Sequence, residues 1–443
     1  MRTQVWKMLS LTVVALLLVT CAPSVQPTAE PTAAPPTEPP KPEAVTLTVW
    51  DQFQRDTEKA VIDSLNAEFK AARPGAQISR VVKSFDDLKV TIKLALSDPN
   101  GPDVGQVNQG ADMRAVVQGN LLLDLTPYLP KYQWDKRFSA GILARNSFTA
   151  DGSQFGTGNL YGVSPTAEVV GVYYNKERFQ QLGLSVPKTF ADFEALLAKA
   201  KAAGETPIVF GNLDQWPGIH IFSAIQHILL PDRTWLDNFV YGQGEVSFDI
   251  PENVQAATKV QEWVEASYFT DGFAGIGYDD SWKLFAGGQG LMMITGSWLS
   301  GDIVSTGGEK FGFFLLPPLE EEGKVLAIGG VGLPFCIRAG TKNADLAAEY
   351  LDWMVSSRAG ELWLEKGVLP AVPVDKSKVP TGTLLGDIVT AYGVINEADG
   401  VGHYIDWAGP TMYDVLSASI QELMAMQITP EEFVAKVQAE YAK

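Results

Sequence analysis

Val45-Thr46-Leu47-Thr48-Val49-Trp50 alternates apolar and polar side chains, the pattern of a strand with one buried face. Behind it Val61, Ile62, Leu65 and Phe69 recur at helical spacing, and Arg73-Pro74-Gly75 stops the run. A strand over 77–82, a helix over 86–96 and a strand over 103–107 follow. Residues 45–107 therefore read as βαβαβ, which predicts an α/β fold with a parallel or mixed sheet covered by helices.

Outward from that stretch the rhythm resumes. A strand is expected over 169–174, then a helix over 190–203 opened by a capping box between Thr189 and Asp192, then a strand over 207–210. Further on, 251–266 and 343–355 read as helices, and 291–294 and 311–315 as short buried strands. The chain closes with a helix over 412–426 and another behind Thr429-Pro430-Glu431-Glu432, a capping box with proline at the first helical position. No internal repeat is present. With 443 residues, roughly two to three globular units are expected, and no second linker separates them.

The N-terminus has a different character. Arg2 and Lys7 precede the apolar run 8–19, the charged-then-apolar layout of an export signal, too short to span a bilayer. No other stretch reaches 18 uninterrupted apolar residues. Leu18-Val19-Thr20-Cys21 resembles the lipobox of bacterial lipoproteins, which implies cleavage after residue 20 and lipidation of Cys21. Residues 22–44 hold eight prolines among Thr, Ala and Glu, with almost nothing to bury. Such a segment stays extended and disordered, a spacer of about 3 Å per residue that holds a folded unit off a membrane. Residues 1–20 are thus an expected signal peptide and 21–44 an expected tether, with the protein extracytoplasmic on the outer face of the cell membrane, in a periplasm or at the cell surface.

The 52 acidic and 34 basic side chains give a formal charge of −18, and losing Arg2 and Lys7 with the signal makes it −20. A chain this acidic repels phosphate backbones, so nucleic-acid binding is excluded as a general function. The two cysteines, Cys21 and Cys336, cannot build a disulfide framework or a thiolate metal site, and Cys336 reads as a buried strand residue. The three histidines, His220, His227 and His403, lack ligands at metal spacing, and HExxH is absent. Neither GxxxxGK[ST] nor GxGxxG occurs, and Gly296-Ser297-Trp298 is no serine elbow. No cofactor and no metal are expected, and no catalytic residue is assigned. The acid pair Asp279-Asp280 reads as solvated surface.

What remains is binding chemistry. A carbohydrate offers hydroxyl edges and a flat C–H face, so its receptor needs carboxylates, amides and aromatic rings. A tryptophan packs in a core more often than it binds, yet several here stand at strand ends or in loops beside polar neighbours, where α/β proteins place ligands. Trp50 is followed by Asp51 and Gln52; Asn108, Gln109 and Asp112 follow a strand; Asp214-Gln215 precede Trp216; Asp406 precedes Trp407.

Five segments together carry a resemblance: residues 46–50 (Thr-Leu-Thr-Val-Trp); 101–104 (Gly-Pro-Asp-Val); 161–165 (Tyr-Gly-Val-Ser-Pro) running into 172–176 (Val-Tyr-Tyr-Asn-Lys); 285–298, from Phe285 through Leu-Met-Met-Ile to Gly-Ser-Trp; and 428–433 (Ile-Thr-Pro-Glu-Glu-Phe). Over residues 45–443 the chain resembles a family 1 extracellular solute-binding protein, the maltose-binding-protein-like sugar receptor of an ABC importer. The resemblance implies two α/β lobes, a ligand cleft between them and hinge closure. Lobe 1 would be 45–165 and 310–356, lobe 2 would be 166–309 and 357–443, and Ser164 to Glu168 the first hinge. It implies a sugar-contacting carboxylate at Glu168, a stacking ring at Trp298, and an aromatic contact from Tyr404 or Trp407. Val107 replaces the family's other stacking ring, which argues against a malto-oligosaccharide and leaves Asn108, Gln109 and Asp112 as the substitutes. Gly329 and Gly330 would let the backbone approach the ligand, or else form a tight turn.

The expected partners are a mono- or oligosaccharide and the permease subunits of an ABC transporter, with membrane contact only through the lipid anchor and the protein monomeric. Two alternatives stay open: a receptor for a cationic solute such as a polyamine, which acidic lining suits, and a secreted glycan-active enzyme, which would need a carboxylate pair about 5–9 Å apart across a sugar bond.

Overall fold

The structure, a computed structural model, describes residues 44–373 and 375–443. The expected signal peptide, Cys21 and the tether through residue 43 lie outside the described residues. The opening βαβαβ is present as β1 (Val45–Asp51), α1 (Asp56–Ala72), β2 (Ala76–Val82), α2 (Phe85–Ser97) and β3 (Val104–Gln106). Leu47, Val49 and Asp51 alternate inward along β1, and α1 buries Val61, Ile62, Leu65 and Phe69 on one stripe. Ser84 starts α2 by accepting the Asp87 amide at 3.1 Å, a side-chain cap. β1 lies parallel between β2 and β3. Phe69, Tyr350 and Trp363 fill the core beneath this sheet.

A two-stranded hairpin of β4 (Ser147–Phe148) and β5 (Asn159–Leu160) precedes the second sheet. That sheet is built on β6 (Ala167–Asn175), with β7 (Met292–Gly296) antiparallel along one edge. The other edge is shared by β8 (Phe311–Phe314) and β9 (Ala327–Val331), both antiparallel. β10 (Phe335–Ile337) returns to the first sheet as an antiparallel partner of β3, and β11 (Val401–Gly402) pairs parallel with β9. Beyond residue 169 the expected parallel or mixed sheet forms as a mixed one, antiparallel around β6 and parallel only where β11 meets β9. The strand expected over 207–210 is reduced to bridges at Ile208, because the Phe210 amide donates to Thr270 Oγ1 at 3.0 Å instead of extending a ladder. The helices Phe190–Ala202 and Pro430–Tyr441 carry the capping boxes that their sequences announce.

The expected segment boundaries at 310 and 356 do not coincide with sheet membership. β8 and β9 hydrogen-bond to β6, so 311–331 belongs to the second sheet. The helix Ser357–Glu365 packs Ala359, Leu362 and Trp363 into the core of the first sheet. The chain crosses between sheets at 164–166 and again at 332–334, and these crossings lie side by side: Val163 bridges Phe335, and the Gly332 amide donates to Thr166 O at 2.9 Å. The segment around Pro370 runs beside them, bridging Thr166. No helix among the described residues is long and apolar enough to cross a membrane.

Candidate functional site

The C-terminal ends of β1, β2 and β3 open onto one cavity of about 400 Å³, closed on its far side by residues of the second sheet. Strand ends are where an α/β sheet exposes free backbone groups and loops, hence where a ligand fits without disturbing the ladder. From the first sheet come Gln52 to Arg55 after β1, Phe85 and Asp86 at the start of α2, and Asn108 and Gln109 after β3. Side-chain amides brace this wall. Gln106 Oε1 accepts the Gln52 amide at 2.9 Å while its Nε2 donates to Leu333 O at 3.0 Å. Buried Gln109 donates to the carbonyls of Val331 and Gly332 at 3.2 and 3.0 Å, tying the first sheet to a crossing segment.

The opposite wall is aromatic. The helix Trp216–Leu229 begins where buried Asn212 accepts the Gly218 amide at 2.8 Å, and this places Trp216 and His220 on the cavity. Trp216 lies 4.4 Å from Tyr278 and 5.1 Å from His220, ring centre to ring centre. Trp298 follows β7 and folds back over Gly296, where an added Cβ would come 1.9 Å from its ring. Its indole N–H donates to the Tyr278 hydroxyl at 2.6 Å, which fixes the ring plane. Tyr404 and Trp407 continue the wall, 5.0 Å apart.

The electrostatics are lopsided. Glu58, Asp86, Glu168, Asp214, Asp279, Asp280 and Asp406 line the cavity; among the described residues Arg55 is the one Lys or Arg that does. Arg55 is already engaged by Glu58 and, at 3.3 Å, by Asp302. Burial pushes the Glu58 carboxyl up to about 7 against the pull of Arg55. It pushes Glu168 up to about 7 as well, against the Tyr404 hydroxyl that donates to it at 2.8 Å and the charge of Arg145. Asp406 rises to about 6 by burial. His220 is driven down to about 3 by burial, so it is neutral at any ordinary pH. Among the described residues no three His, Cys, Asp or Glu side chains converge at metal-ligand spacing.

The family model for bacterial extracellular solute-binding proteins matches residues 54–361, most of the chain. The chain belongs to that family. It is 28% identical over 216 residues to the multiple sugar-binding protein of Streptococcus mutans, a match covering 45% of this chain and 48% of that one. It is 24% identical over 334 residues to the maltotriose-binding protein of Pyrococcus abyssi, covering 74% and 66%. A solved structure from a study of xylan utilization by Caldanaerobius polysaccharolyticus superposes with a TM-score of 0.79 at 25% identity, over 89% of this chain and all of that one. The curated relatives are thus matched over about half to two thirds of their length, while the fold is matched nearly throughout. The α/β binding-protein fold inferred from the sequence is the one present.

In this solute-binding protein the cavity gathers Gln52, Asn108, Gln109, Glu168, Trp216, Trp298, Tyr404, Asp406 and Trp407 of the residues expected at the site. Five others stand elsewhere. Asp51 is fully buried and bound to Arg80 through two contacts of 2.6 and 2.7 Å, so it braces β1 against β2. Trp50 points to the other face of β1, where Lys83 lies 4.6 Å over its ring. Asp112 sits behind the wall, accepting from Asn108 at 3.0 Å. Gly329 and Gly330 pair with β6 and make room for the protein itself, not a ligand: a Cβ on Gly329 would come 2.9 Å from Glu168 O, and one on Gly330, whose φ is +133°, 2.9 Å from the Arg145 guanidinium. Buried Arg145 donates to the carbonyls of Gly329, Val401 and Gly402. Sequence reasoning missed Phe53, Asp86, His220, Tyr278 and Tyr413. Asp279-Asp280, expected as solvated surface, open the helix Tyr278–Ala286 at the cavity edge, with Asp280 exposed and Asp279 half-buried. The helical spacing of Tyr278, Trp282 and Phe285 was the available signal.

Proposed function

We propose that the chain is an extracytoplasmic receptor that binds a mono- or short oligosaccharide in this cavity and delivers it to the permease of an ABC transporter. The observation that carries the reading is the cavity itself, one wall of contiguous rings facing another of amides and carboxylates, contributed by two sheets. Rings cover the apolar face of a sugar while carboxylates and amides take its hydroxyl edge. Its volume lies within the range of small-molecule sites. The likeness to a multiple sugar-binding protein of Streptococcus mutans and a maltotriose-binding protein of Pyrococcus abyssi supports the same reading.

The two sheets with their helices serve as lobes, and the neighbouring crossings at 164–166 and 332–334 serve as the hinge. Ligand contacts made to both lobes at once favour the closed shape, which the permease distinguishes from the open one. Cys21, lipidated, and the proline-rich spacer behind it hold the receptor at the membrane. Titration calorimetry of ligand-stripped protein against a panel of sugars tests the reading. Binding of at least one sugar with a dissociation constant near micromolar, about −8 kcal/mol, is expected; folded protein that gives no heat with any sugar overturns it.

A further inference from the structure

The two halves of the molecule also meet beside the cavity, at a seam that no ligand fills. The helix Ser300–Gly307 roots in the second sheet's half, where Ile303, and Leu299 just before it, pack with Tyr173, Phe285 and Phe313. α1 and the helix Ser357–Glu365 root in the first, where Val61, Ile62, Leu362 and Trp363 share a core. Where these helices meet, the contacts are polar. Thr57 Oγ1 donates to Asp302 Oδ1 at 2.7 Å, and the Thr57 amide lies 3.5 Å from the same oxygen, so buried Asp302 faces the positive end of α1. Arg55 Nε stands 3.3 Å from Asp302 Oδ2 without completing a hydrogen bond. The Ser300 hydroxyl donates to the Gly367 carbonyl.

Glycine decides how closely the halves approach. A Cβ on Gly301 would come 2.1 Å from Lys366 O and 3.3 Å from Thr57 Cγ2, and one on Gly367, whose φ is +76°, 3.2 Å from Gly301 Cα. Bare backbone thus meets bare backbone. Gly301 has no left-handed conformation to require glycine, and it stands inside a helix, where alanine is the better former. What calls for glycine there is the surface across the seam. Such a seam is separable: its polar groups exchange one another for water when it parts, at a small net cost per bond, whereas parting an apolar core exposes surface that water disfavours. Thr57, Ser300, Gly301, Asp302 and Gly367 do not line the cavity, but Arg55 does, so cavity wall and seam share a residue.

Resting on the hinged-receptor reading, we propose that this seam is the closure latch: it parts when the halves open, re-forms around bound sugar, and sets affinity through Gly301 and Asp302, positioning residues that never touch the ligand. Apparent affinity scales with the fraction of molecules able to close. Calorimetry, thermal unfolding and small-angle X-ray scattering of the full-length, ligand-stripped protein test this, with glucose, galactose, maltose, xylobiose and raffinose as probes. Gly301→Ala adds a methyl group that the open form accommodates and the closed form does not. It is expected to raise the dissociation constant of whichever of these sugars the wild type binds by roughly tenfold, and to diminish the contraction that the sugar causes. Unliganded, it should melt within about 3 °C of wild type, because opening relieves the clash. Thr57→Val, which keeps the shape and removes the donor to Asp302, should weaken binding roughly threefold with unliganded melting unchanged. Gly393→Ala, on a helix glycine with open space around it, should leave affinity within about twofold. Wild-type affinity in Gly301→Ala or Thr57→Val overturns the proposal. So does unliganded Gly301→Ala that melts more than about 3 °C lower or fails to fold, since a seam that never parts must absorb the clash. Wild type that binds none of the five sugars counts against the carbohydrate reading instead, and the unliganded melting of Gly301→Ala still judges the seam.

Discussion

Two strand ends in this protein carry a tryptophan beside a carboxylate, and they have opposite fates. At the end of β1 the pair is Trp50 and Asp51; where β6 and β7 run together it is Trp298 and Glu168, joined by the Val169 amide donating to Ser297 Oγ at 3.1 Å. Asp51 has its own cation, since Arg80 meets both its oxygens and the Phe53 amide donates to it at 2.9 Å. Glu168 has only the Tyr404 hydroxyl and makes no ion pair among the described residues. The first carboxylate is complete and faces the core; the second is incomplete and faces the cavity. Residue type alone does not separate a binding acid from a structural one, but the presence of a dedicated counter-charge does.

Breaking the complete pair should give the largest effect. Asp51→Ala leaves the Arg80 guanidinium half-buried without its main partner, and loss of one member of such a pair costs about 3–5 kcal/mol of stability. Asp63, 3.1 Å from Arg80, recovers part of that, so about 3 kcal/mol is expected from urea denaturation. Sugar affinity of the folded fraction should not change. A large affinity loss without a stability loss would return Asp51 to the ligand site.

The second strand end should respond the other way round. Trp298→Ala removes a ring that lines the cavity and donates to Tyr278, and central aromatic anchors of this kind contribute about 2–4 kcal/mol to binding. The dissociation constant should rise by at least about thirtyfold while unfolding changes modestly, because the ring is only partly buried. Full affinity in Trp298→Ala would show that the ring merely covers Tyr278.

Glu168 sharpens the comparison through pH. Its folded pKa, about 7, stands above the ordinary 4.5 because burial disfavours the charge. The folded chain therefore holds this proton more tightly than the unfolded one. The stability tied to it is fully present below pH 4.5 and is lost as pH rises through 7. Glu168→Gln removes the titration, so the stability of wild type relative to this variant should fall between pH 4.5 and 7 with a slope approaching about 1.4 kcal/mol per pH unit. Buried His220, His227 and His403, depressed to about 3, 4 and 3, act with the opposite sign below pH 6.5, which is why the difference between two chains is measured and not one curve. A difference that stays flat with pH would place an unseen counter-charge on Glu168.

How far such distinctions reach the sequence depends on whether their cause is local. The opening βαβαβ and both capping boxes are legible because strand alternation, helical spacing and a Thr with an acid three residues on are short-range signals. The helix Trp216–Leu229 is not, since every residue from Pro217 to Ile228 is buried and no polar stripe marks its period. β9 was hidden by Gly329-Gly330: the small size of Gly330 answers to Arg145, a residue about 185 positions earlier, and that of Gly329 to the carbonyl of Glu168. At the site, Glu168, Trp298 and Tyr404 were reached through family resemblance, whereas His220, Tyr278 and Asp86 belong to segments that meet only in three dimensions. Even the parity of β1 was readable: if Leu47 and Val49 face the core, Asp51 does too, and Trp50 faces away.

That parity yields the smallest expected effect and the sharpest control. Trp50 and Trp298 are chemically identical, and both stand at the C-terminal end of a strand, so a general argument from aromatic content treats them alike. The fold does not. Trp50 is half-buried on the other face of β1, packed against the larger hydrophobic core with Lys83 over its ring, and that ring reaches neither the cavity nor a residue whose side chain lines it by hydrogen bond. Trp50→Ala removes that cation–π contact, worth about 0.5–1 kcal/mol at an exposed site, together with some apolar packing. A stability loss of about 1–2 kcal/mol and a dissociation constant within about threefold of wild type are expected. If Trp50→Ala instead weakens binding as much as Trp298→Ala, the ligand reaches past Gln52 to the other face of β1, and the cavity described here is only part of the site.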